Sequence, residues 1–167
     1  MSMESALARK EKALHGFEDF YKVEFERVYR AVYLTTGDRE GALDASQEAF
    51  KRAYVRWRRL SRKEWAGGWV MTTALNAYRE TRGRRRESVT AEASLRATSG
   101  PGPERLDVVD GMRRLPPRQR KAMALYYLGD LPIPVVADLM GITEGAVKAH
   151  LAQARAALRP MLEVRDA

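Results

Sequence analysis

Polar side chains at helical spacing near the C-terminus form the clearest candidate binding surface in this sequence. The set comprises Lys148, His150, Gln153 and Arg155. They lie off an apolar stripe that a helix would bury, made of Val147, Leu151, Ala154 and Leu158. Ammonium, imidazole, amide and guanidinium groups can hydrogen-bond to base edges and to phosphate oxygens. The pattern therefore predicts a helix that packs on one side and offers DNA-binding groups on the other.

A helix-turn-helix accounts for this surface. The segment Ile133–Met140 reads as a first helix, in which Ala137 is small enough to let two helices cross closely. Gly141 suits the left-handed residue that ends such a helix. Thr143 can cap the second helix, and Glu144 lies in its first turn, where the helix dipole favours an acid. Such a second helix enters the major groove of DNA; the alternative is an ordinary hairpin of two helices.

A second candidate surface combines basic and aromatic residues. The segment Arg56–Trp69 holds three tryptophans among basic residues and glycines, and reads as a loop leading into a helix. Basic groups can hold a phosphate backbone while aromatic rings stack on bases. Asn76 follows on that helix, and its amide can both donate to and accept from a base edge. The alternative for Trp57 and Trp69 is burial in the core.

Net charge supports a polyanionic partner. The chain carries 30 Lys and Arg against 22 Asp and Glu, a net charge of +8. Residues 51–90 hold twelve basic and three acidic residues, whereas residues 1–50 hold seven basic and ten acidic residues. An excess of this size on one segment favours binding to nucleic acid.

One helix face in the acidic half is polar. Asp44, Gln47, Glu48 and Lys51 share it. Like charges four residues apart weaken a helix slightly, and an ion pair between Glu48 and Arg52 would offset part of that cost. The face is either a solvated surface or a contact surface for a basic partner.

Helices must position these groups, because the sequence has no convincing alternating strand pattern. A first helix ends at Gly37, Asp38 caps a second that runs towards Trp57, and another runs from Trp69 to about Arg82. The residues expected to face the core are Phe17, Phe20, Tyr21, Val28 and Val32 in the first, Ala42, Ala45, Ala49, Ala53 and Tyr54 in the second, and Trp69, Val70, Thr73, Ala74 and Ala77 in the other.

The predicted fold is all-α, with two small helical domains. Residues 87–103 lack apolar periodicity and end in turn-forming residues, so they read as a flexible linker between domains 1–86 and 104–167. The C-terminal domain is the helix-turn-helix.

Several classes of chemistry are not expected. The absence of cysteine excludes disulfides and thiolate chemistry, and the two histidines, His15 and His150, have no ligand partners at metal spacing. The sequence has no phosphate-binding glycine loop and no apolar run long enough to cross a bilayer. We expect a soluble, cytoplasmic, non-enzymatic protein without metal or cofactor.

Four motifs in order resemble the extracytoplasmic-function (group IV) sigma factors of the sigma-70 superfamily. Asp44–Phe50 resembles the D-x-x-Q-E-x-F stretch of region 2.2, and Trp69–Asn76 resembles the W-L-x-x-I-A-x-N helix that follows it. Leu115–Arg120 resembles the L-P-x-x-x-R opening of region 4, and Thr143–Lys148 is similar to the recognition helix of that region.

The resemblance implies a sigma factor that binds RNA polymerase core, through the β′ clamp helices and the β flap, and directs it to promoter DNA. It implies polymerase contacts by Asp44, Gln47, Glu48 and Phe50. It implies capture of the unpaired −10 strand by Arg58, Arg62, Lys63, Trp65, Asn76 and Arg79, with the loop from Arg58 to Gly68 holding a flipped base. It implies −35 recognition by Arg118, Thr143, Glu144, Lys148, Ala149, His150, Gln153 and Arg155. It also implies an anti-sigma factor as a regulator.

The chain departs from the family pattern in two places. Pro132, Ile133 and Pro134 replace the usual cap of the first motif helix, and Ala152 and Gln153 stand where many members carry bulkier or basic residues. Base preference therefore does not carry over from the family. Two alternative functions are an autonomous helix-turn-helix regulator of duplex DNA and a recombinase or nuclease that uses Ser61 beside arginines.

Overall fold

A computed structural model describes residues 3–88 and 103–163, and every regular element in these two ranges is helical. The helices are α1 (Met3–Thr36), α2 (Arg39–Val55), α3 (Trp57–Leu60), α4 (Ala66–Ser88), α5 (Pro103–Arg114), α6 (Pro117–Met123), α7 (Ile133–Met140) and α8 (Glu144–Glu163). A π-helical turn, Ala124–Leu128, continues α6. The all-α prediction is confirmed, while residues 89–102 of the predicted linker lie outside the described ranges.

The N-terminal half is built as its capping residues predict. Gly37 ends α1 with a φ of 72°, a conformation that glycine adopts without steric cost. Asp38 then caps α2, because its carboxylate accepts a hydrogen bond from the Gly41 amide at 2.9 Å. Aromatic rings of α1 and α2 pack together, with the Phe20 and Phe50 ring centres 5.8 Å apart.

The C-terminal half contains the predicted helix-turn-helix. Gly141 has a φ of 66°, and the Thr143 hydroxyl accepts a hydrogen bond from the Ala146 amide at 3.1 Å, so both predicted turn residues act as expected. Ala137 is buried beneath the motif. The expected stripe of α8 is also confirmed, with Val147, Leu151 and Ala154 buried and Leu158 packed beside them.

The two halves pack against each other around one continuous buried cluster. Gly68, at the start of α4, lies so close to Leu131 that an added Cβ would come within 2.8 Å of a leucine methyl carbon. A Cβ added at Gly129 would lie 3.0 Å from the Met71 sulfur of α4. The Arg27 guanidinium of α1 donates a hydrogen bond to the Gly129 carbonyl. Contacts between the halves therefore run along α1 and α4.

Three sequence expectations need correction. The basic–aromatic segment is mostly helical, since α3 occupies Trp57–Leu60 and α4 begins at Ala66, three residues before Trp69. The helix expected to end near Arg82 continues to Ser88. Tyr21 and Tyr54 were expected in the core but are 37% and 48% exposed, because each ring lies edge-on against one packed ring, Phe50 for Tyr21 and Phe17 for Tyr54, and keeps its other side at the surface.

Replacing Gly141 with alanine should destabilise the chain, whereas replacing Gly83 with alanine should stabilise it. No atom within 4 Å would obstruct a Cβ at either position, so space does not separate the two sites. Gly141 has a positive φ, which costs an alanine about 1–2 kcal/mol, while Gly83 lies inside α4, where alanine gains about 0.5–1 kcal/mol. Urea unfolding followed by circular dichroism measures the free energy of unfolding of both variants. If the two substitutions change it in the same direction, this explanation is wrong.

Candidate nucleic-acid interface

The recognition helix α8 presents a polar, solvent-facing side. Glu144, Lys148 and Ala149 are exposed on its first turns, and Thr143 is exposed while it caps the helix. Ala152 and Ala156 continue this side without bulk, so a DNA groove could approach the helix backbone closely. The predicted −35 residues of this group therefore share an accessible face.

Two further predicted −35 residues, Gln153 and Arg155, form hydrogen bonds to other helices of the C-terminal half. The Gln119 amide donates a hydrogen bond to the Gln153 side-chain oxygen at 3.1 Å, and an Arg155 guanidinium nitrogen donates to the Tyr127 hydroxyl at 2.9 Å. Both pairs are exposed, so water or DNA can replace either partner. His150 is half-buried, and its Nδ1 is buried without a hydrogen-bond partner in the described structure. Arg118 is exposed at the start of α6.

The tryptophans of the basic–aromatic segment are divided between packing and surface. Trp57 packs on Phe20, with ring centres 4.8 Å apart. Trp69 is half-buried, and the guanidinium carbon of Arg56 lies 5.9 Å from its ring centre. The core interpretation therefore holds for Trp57 and Trp69. Trp65 is half-buried, and the Lys63 ammonium lies 5.5 Å from its ring centre.

The predicted strand-binding cations beside them, Arg58 and Arg62, are exposed. Together with Lys63 and Trp65 they place three cations and one aromatic ring on a short surface between α3 and α4. This surface suits a phosphate backbone with a stacked base.

Asn76 faces the C-terminal half rather than open solvent. The Lys121 ammonium of α6 donates a hydrogen bond to its side-chain oxygen at 2.9 Å. Burial lowers the pKa of Lys121, and the nearby Arg79 guanidinium lowers it further. Arg79 is exposed one turn beyond Asn76. In this arrangement Lys121 already occupies the side-chain oxygen of Asn76. Asn76 can use that oxygen to read a base only after this hydrogen bond breaks.

The acidic face of α2 is accessible at two of the predicted positions. Asp44 and Gln47 are exposed, and Glu48 is partly buried with its carboxylate 3.0 Å from the Arg52 guanidinium. This hydrogen bond is the main cause of the raised pKa of Arg52. Phe50, predicted among the partner-binding residues, is only 2% exposed and packs among α1 aromatic rings. The structure gives Phe50 a packing position.

Sequence reasoning missed a cationic group on the C-terminal half that faces α4. Arg113, Arg120 and Lys121 lie opposite Arg79 across the space between the halves. Burial lowers the pKa of Arg120, with a further contribution from Arg113. The basic run from Arg118 to Lys121 was visible in the sequence, but only the packing of α5 on α1, and of α7 and the π-helical turn on α4, brings it near Arg79.

Two features are absent from the residues that the structure describes. None of their helices is long and apolar enough to cross a bilayer, and they contain no group of three potential metal ligands.

Sequence comparisons agree with this architecture. Residues 105–158 match the family "Sigma-70, region 4". The chain is 28% identical to the RNA polymerase sigma-E factor of Streptomyces avermitilis over 155 residues, covering 90% of this chain and 87% of that protein. It is 29% identical to the ECF RNA polymerase sigma factor SigM of Bacillus subtilis, covering 86% and 93% of the two chains.

Two solved structures share the fold. The sigma factor RpoE of Bartonella quintana, in complex with the anti-sigma factor NepR, matches with a TM-score of 0.72 and 21% identity over 89% of this chain and 97% of that chain. CnrH, in complex with the cytosolic domain of CnrY, matches with a TM-score of 0.65 and 19% identity over 89% and 88%. Both likenesses concern the fold alone.

Proposed function

Because the chain belongs to the extracytoplasmic-function RNA polymerase sigma factors and directs transcription initiation, we propose that its two halves divide promoter recognition between them. Residues 1–86 bind polymerase core and capture the unpaired −10 strand. Residues 104–167 read the −35 duplex, and residues 87–103 link the two. The protein acts in the cytoplasm, without enzymatic activity of its own.

The observation that carries the proposal is the two-sided character of α8. Its buried side, Val147, Leu151 and Ala154, fixes the helix on the C-terminal half, and its other side leaves Lys148 exposed in a capped helix-turn-helix. A rigid helix with free polar groups is what readout in the major groove requires.

The N-terminal assignments rest on accessibility and charge. Arg58, Arg62 and Lys63 can hold the strand backbone while Trp65 offers a ring to a base. Asp44, Gln47 and Glu48 supply an accessible, hydrogen-bonding surface for the β′ clamp helices of polymerase. The sigma factor RpoE shares this fold and was solved with the anti-sigma factor NepR, which supports an anti-sigma factor as regulator of this chain.

Transcription in vitro tests the proposal against an autonomous DNA-binding regulator. Purified core polymerase, this chain and a library of duplex promoters are combined, and the transcripts are sequenced. We expect start sites that depend on both the chain and paired −35 and −10 elements. Binding of the chain alone to duplex sites, without polymerase-dependent transcripts, would favour the regulator.

Replacing Lys148 with alanine should weaken binding to −35 duplex. If Lys148 contacts a phosphate, the slope of log K against log salt should become less steep by about one. If Lys148 contacts a base, the loss should be about 1–3 kcal/mol and confined to one position. Fluorescence anisotropy at several salt concentrations measures both, with exposed Lys51→Ala as the matched control. Unchanged affinity for every duplex would remove Lys148 from the interface.

Replacing Gln47 and Glu48 together with alanine should weaken binding to polymerase core without unfolding the chain. Arg52 keeps a second carboxylate partner, Glu80, at 3.4 Å, so loss of Glu48 leaves its charge compensated. Truncating two accessible polar contacts should cost roughly 1–3 kcal/mol of binding free energy. Biolayer interferometry measures the affinity, circular dichroism the helix content, and Glu26→Ala on α1 serves as the exposed control. Equal affinities for all three proteins would exclude this face.

A further inference from the structure

A cavity of about 430 Å³ separates α4 from the start of the C-terminal half. Its α4 wall carries Asn76, Arg79 and Arg82. The opposite wall carries Arg113, Arg120 and Lys121 from α5 and α6. The two walls therefore bring five cationic side chains around one space.

Few negative charges neutralise these five cations in the part of the chain that the structure describes. No carboxylate is among the described residues that line the cavity. The nearest ion pair involves Arg82, whose guanidinium lies 4.0 Å from the Asp38 carboxylate, and that carboxylate also accepts a hydrogen bond from Tyr78. Arg79 and Arg113 have neither an ion pair nor a side-chain hydrogen bond to the described part of the chain.

Arg120 offers the most specific donor. Its terminal nitrogen Nη2 donates to the carbonyls of Arg113 and Leu115 at 3.0 and 2.9 Å, which fixes the guanidinium in place. Its Nε is buried and has no hydrogen-bond partner in the described structure. A buried, unpaired donor of a charged group is costly, and a bound acceptor would remove that cost.

We propose that this cavity binds a small phosphate-bearing anion of the pyrophosphate class, which bridges α4 and α6. Guanidinium groups match phosphate oxygens with paired hydrogen bonds, and an ammonium adds a point charge. Two linked phosphates can meet Arg79 on one wall and Arg120 and Lys121 on the other. Lys121 and Arg120 are half-buried between the halves, so the backbone of a DNA duplex does not reach them in this arrangement.

Titration calorimetry with the full chain tests the site, using sodium pyrophosphate at fixed ionic strength. Arg79→Gln is the primary variant, because its exposed guanidinium supports no contact in the described structure. Lys121→Gln is the second variant. Arg59→Gln, which replaces another exposed arginine outside the cavity, is the matched control. We expect saturable binding and an increase in Kd of about tenfold or more for Arg79→Gln and Lys121→Gln, as loss of a charged hydrogen bond implies, but not for Arg59→Gln.

Additional ligands identify the source of the anion. Sulfate at the same ionic strength should bind more weakly than pyrophosphate. ATP or GTP binding more tightly than pyrophosphate identifies a nucleotide, whereas equal affinities identify the diphosphate unit itself. Equal weakening by Arg79→Gln and Arg59→Gln, or pyrophosphate binding no tighter than sulfate, overturns the proposal. The proposal is also overturned if the chain does not bind pyrophosphate but binds DNA oligonucleotides with an affinity that Arg79→Gln lowers.

Discussion

Replacing Leu151 with alanine is expected to lower the free energy of unfolding by about 2–5 kcal/mol. Leu151 is 1% exposed and lies between Val147 and Ala154 on the buried side of α8. The truncated side chain would leave a cavity under the recognition helix, because its small neighbours cannot fill the space. Urea unfolding followed by circular dichroism measures the loss.

The same substitution should also abolish tight binding to −35 duplex, although Leu151 itself is inaccessible to DNA. The groove-facing groups depend on a fixed α8, and a loosened helix loses their alignment. Exposed Gln153→Ala is the control for stability, with an expected change within about 0.5 kcal/mol. A Leu151→Ala protein that is as stable as its parent would show that α8 is held mainly by other contacts.

The helix-turn-helix was predictable because its signals are local. The end of α7 at Met140 was predicted correctly from Gly141, and Gly141 and Thr143 mark the turn by backbone conformation and capping. The same logic identified Gly37 and Asp38 between α1 and α2. Each signal depends on residues within one or two turns, so no knowledge of distant packing was needed.

The glycines of the basic–aromatic segment were misread because their role is tertiary. Gly67 and Gly68 suggested a loop, yet both lie in the first turn of α4. Gly68 is there because Leu131 and Leu139 approach from the other half, which no local pattern reveals. Phe50 lies in the motif that suggested polymerase contact, but the α1 aromatic rings cover it.

The candidate surfaces were proposed from residue type, which does not predict the contacts that the structure adds to them. Asn76 is predicted to read a base from its amide chemistry and from the family resemblance, whereas its hydrogen bond to Lys121 links residues 45 positions apart. Such a contact depends on how the halves pack, and a sequence that predicts a linker between two domains predicts no particular packing of those domains. If Asn76 reads a −10 base as proposed, the C-terminal half and the −10 strand compete for the same amide.

Replacing Gly68 with leucine should separate the halves and raise affinity for single-stranded −10 DNA. An added Cβ would lie 2.8 Å from one Leu131 methyl carbon and 3.1 Å from a Leu139 methyl carbon, both on the C-terminal half. Such overpacking costs about 1–3 kcal/mol, and here the halves can relieve it by moving apart. Leucine is also a better helix former than glycine, so α4 itself should not be weakened.

Separation releases Asn76 from Lys121, which makes the strand-binding conformation more populated. A shift of about 1–3 kcal/mol in this equilibrium corresponds to roughly a 5- to 150-fold change in population. The apparent affinity for the −10 strand should rise by that factor, up to the limit set by the fully open chain. Small-angle scattering should show a larger radius of gyration, and fluorescence anisotropy with labelled oligonucleotides measures the affinity.

Two further variants separate opening from base reading. Thr81→Leu adds the same side chain on an exposed part of α4 and should change neither measurement. Asn76→Ala in the Gly68→Leu background should keep the expanded shape but lose the preference for one −10 base, because the discriminating amide is gone. If Gly68→Leu expands the chain without raising strand affinity, the contact between the halves does not limit −10 binding. If base preference survives loss of Asn76, another residue reads the flipped base, and the surface of Arg58, Arg62 and Trp65 becomes the place to search for it.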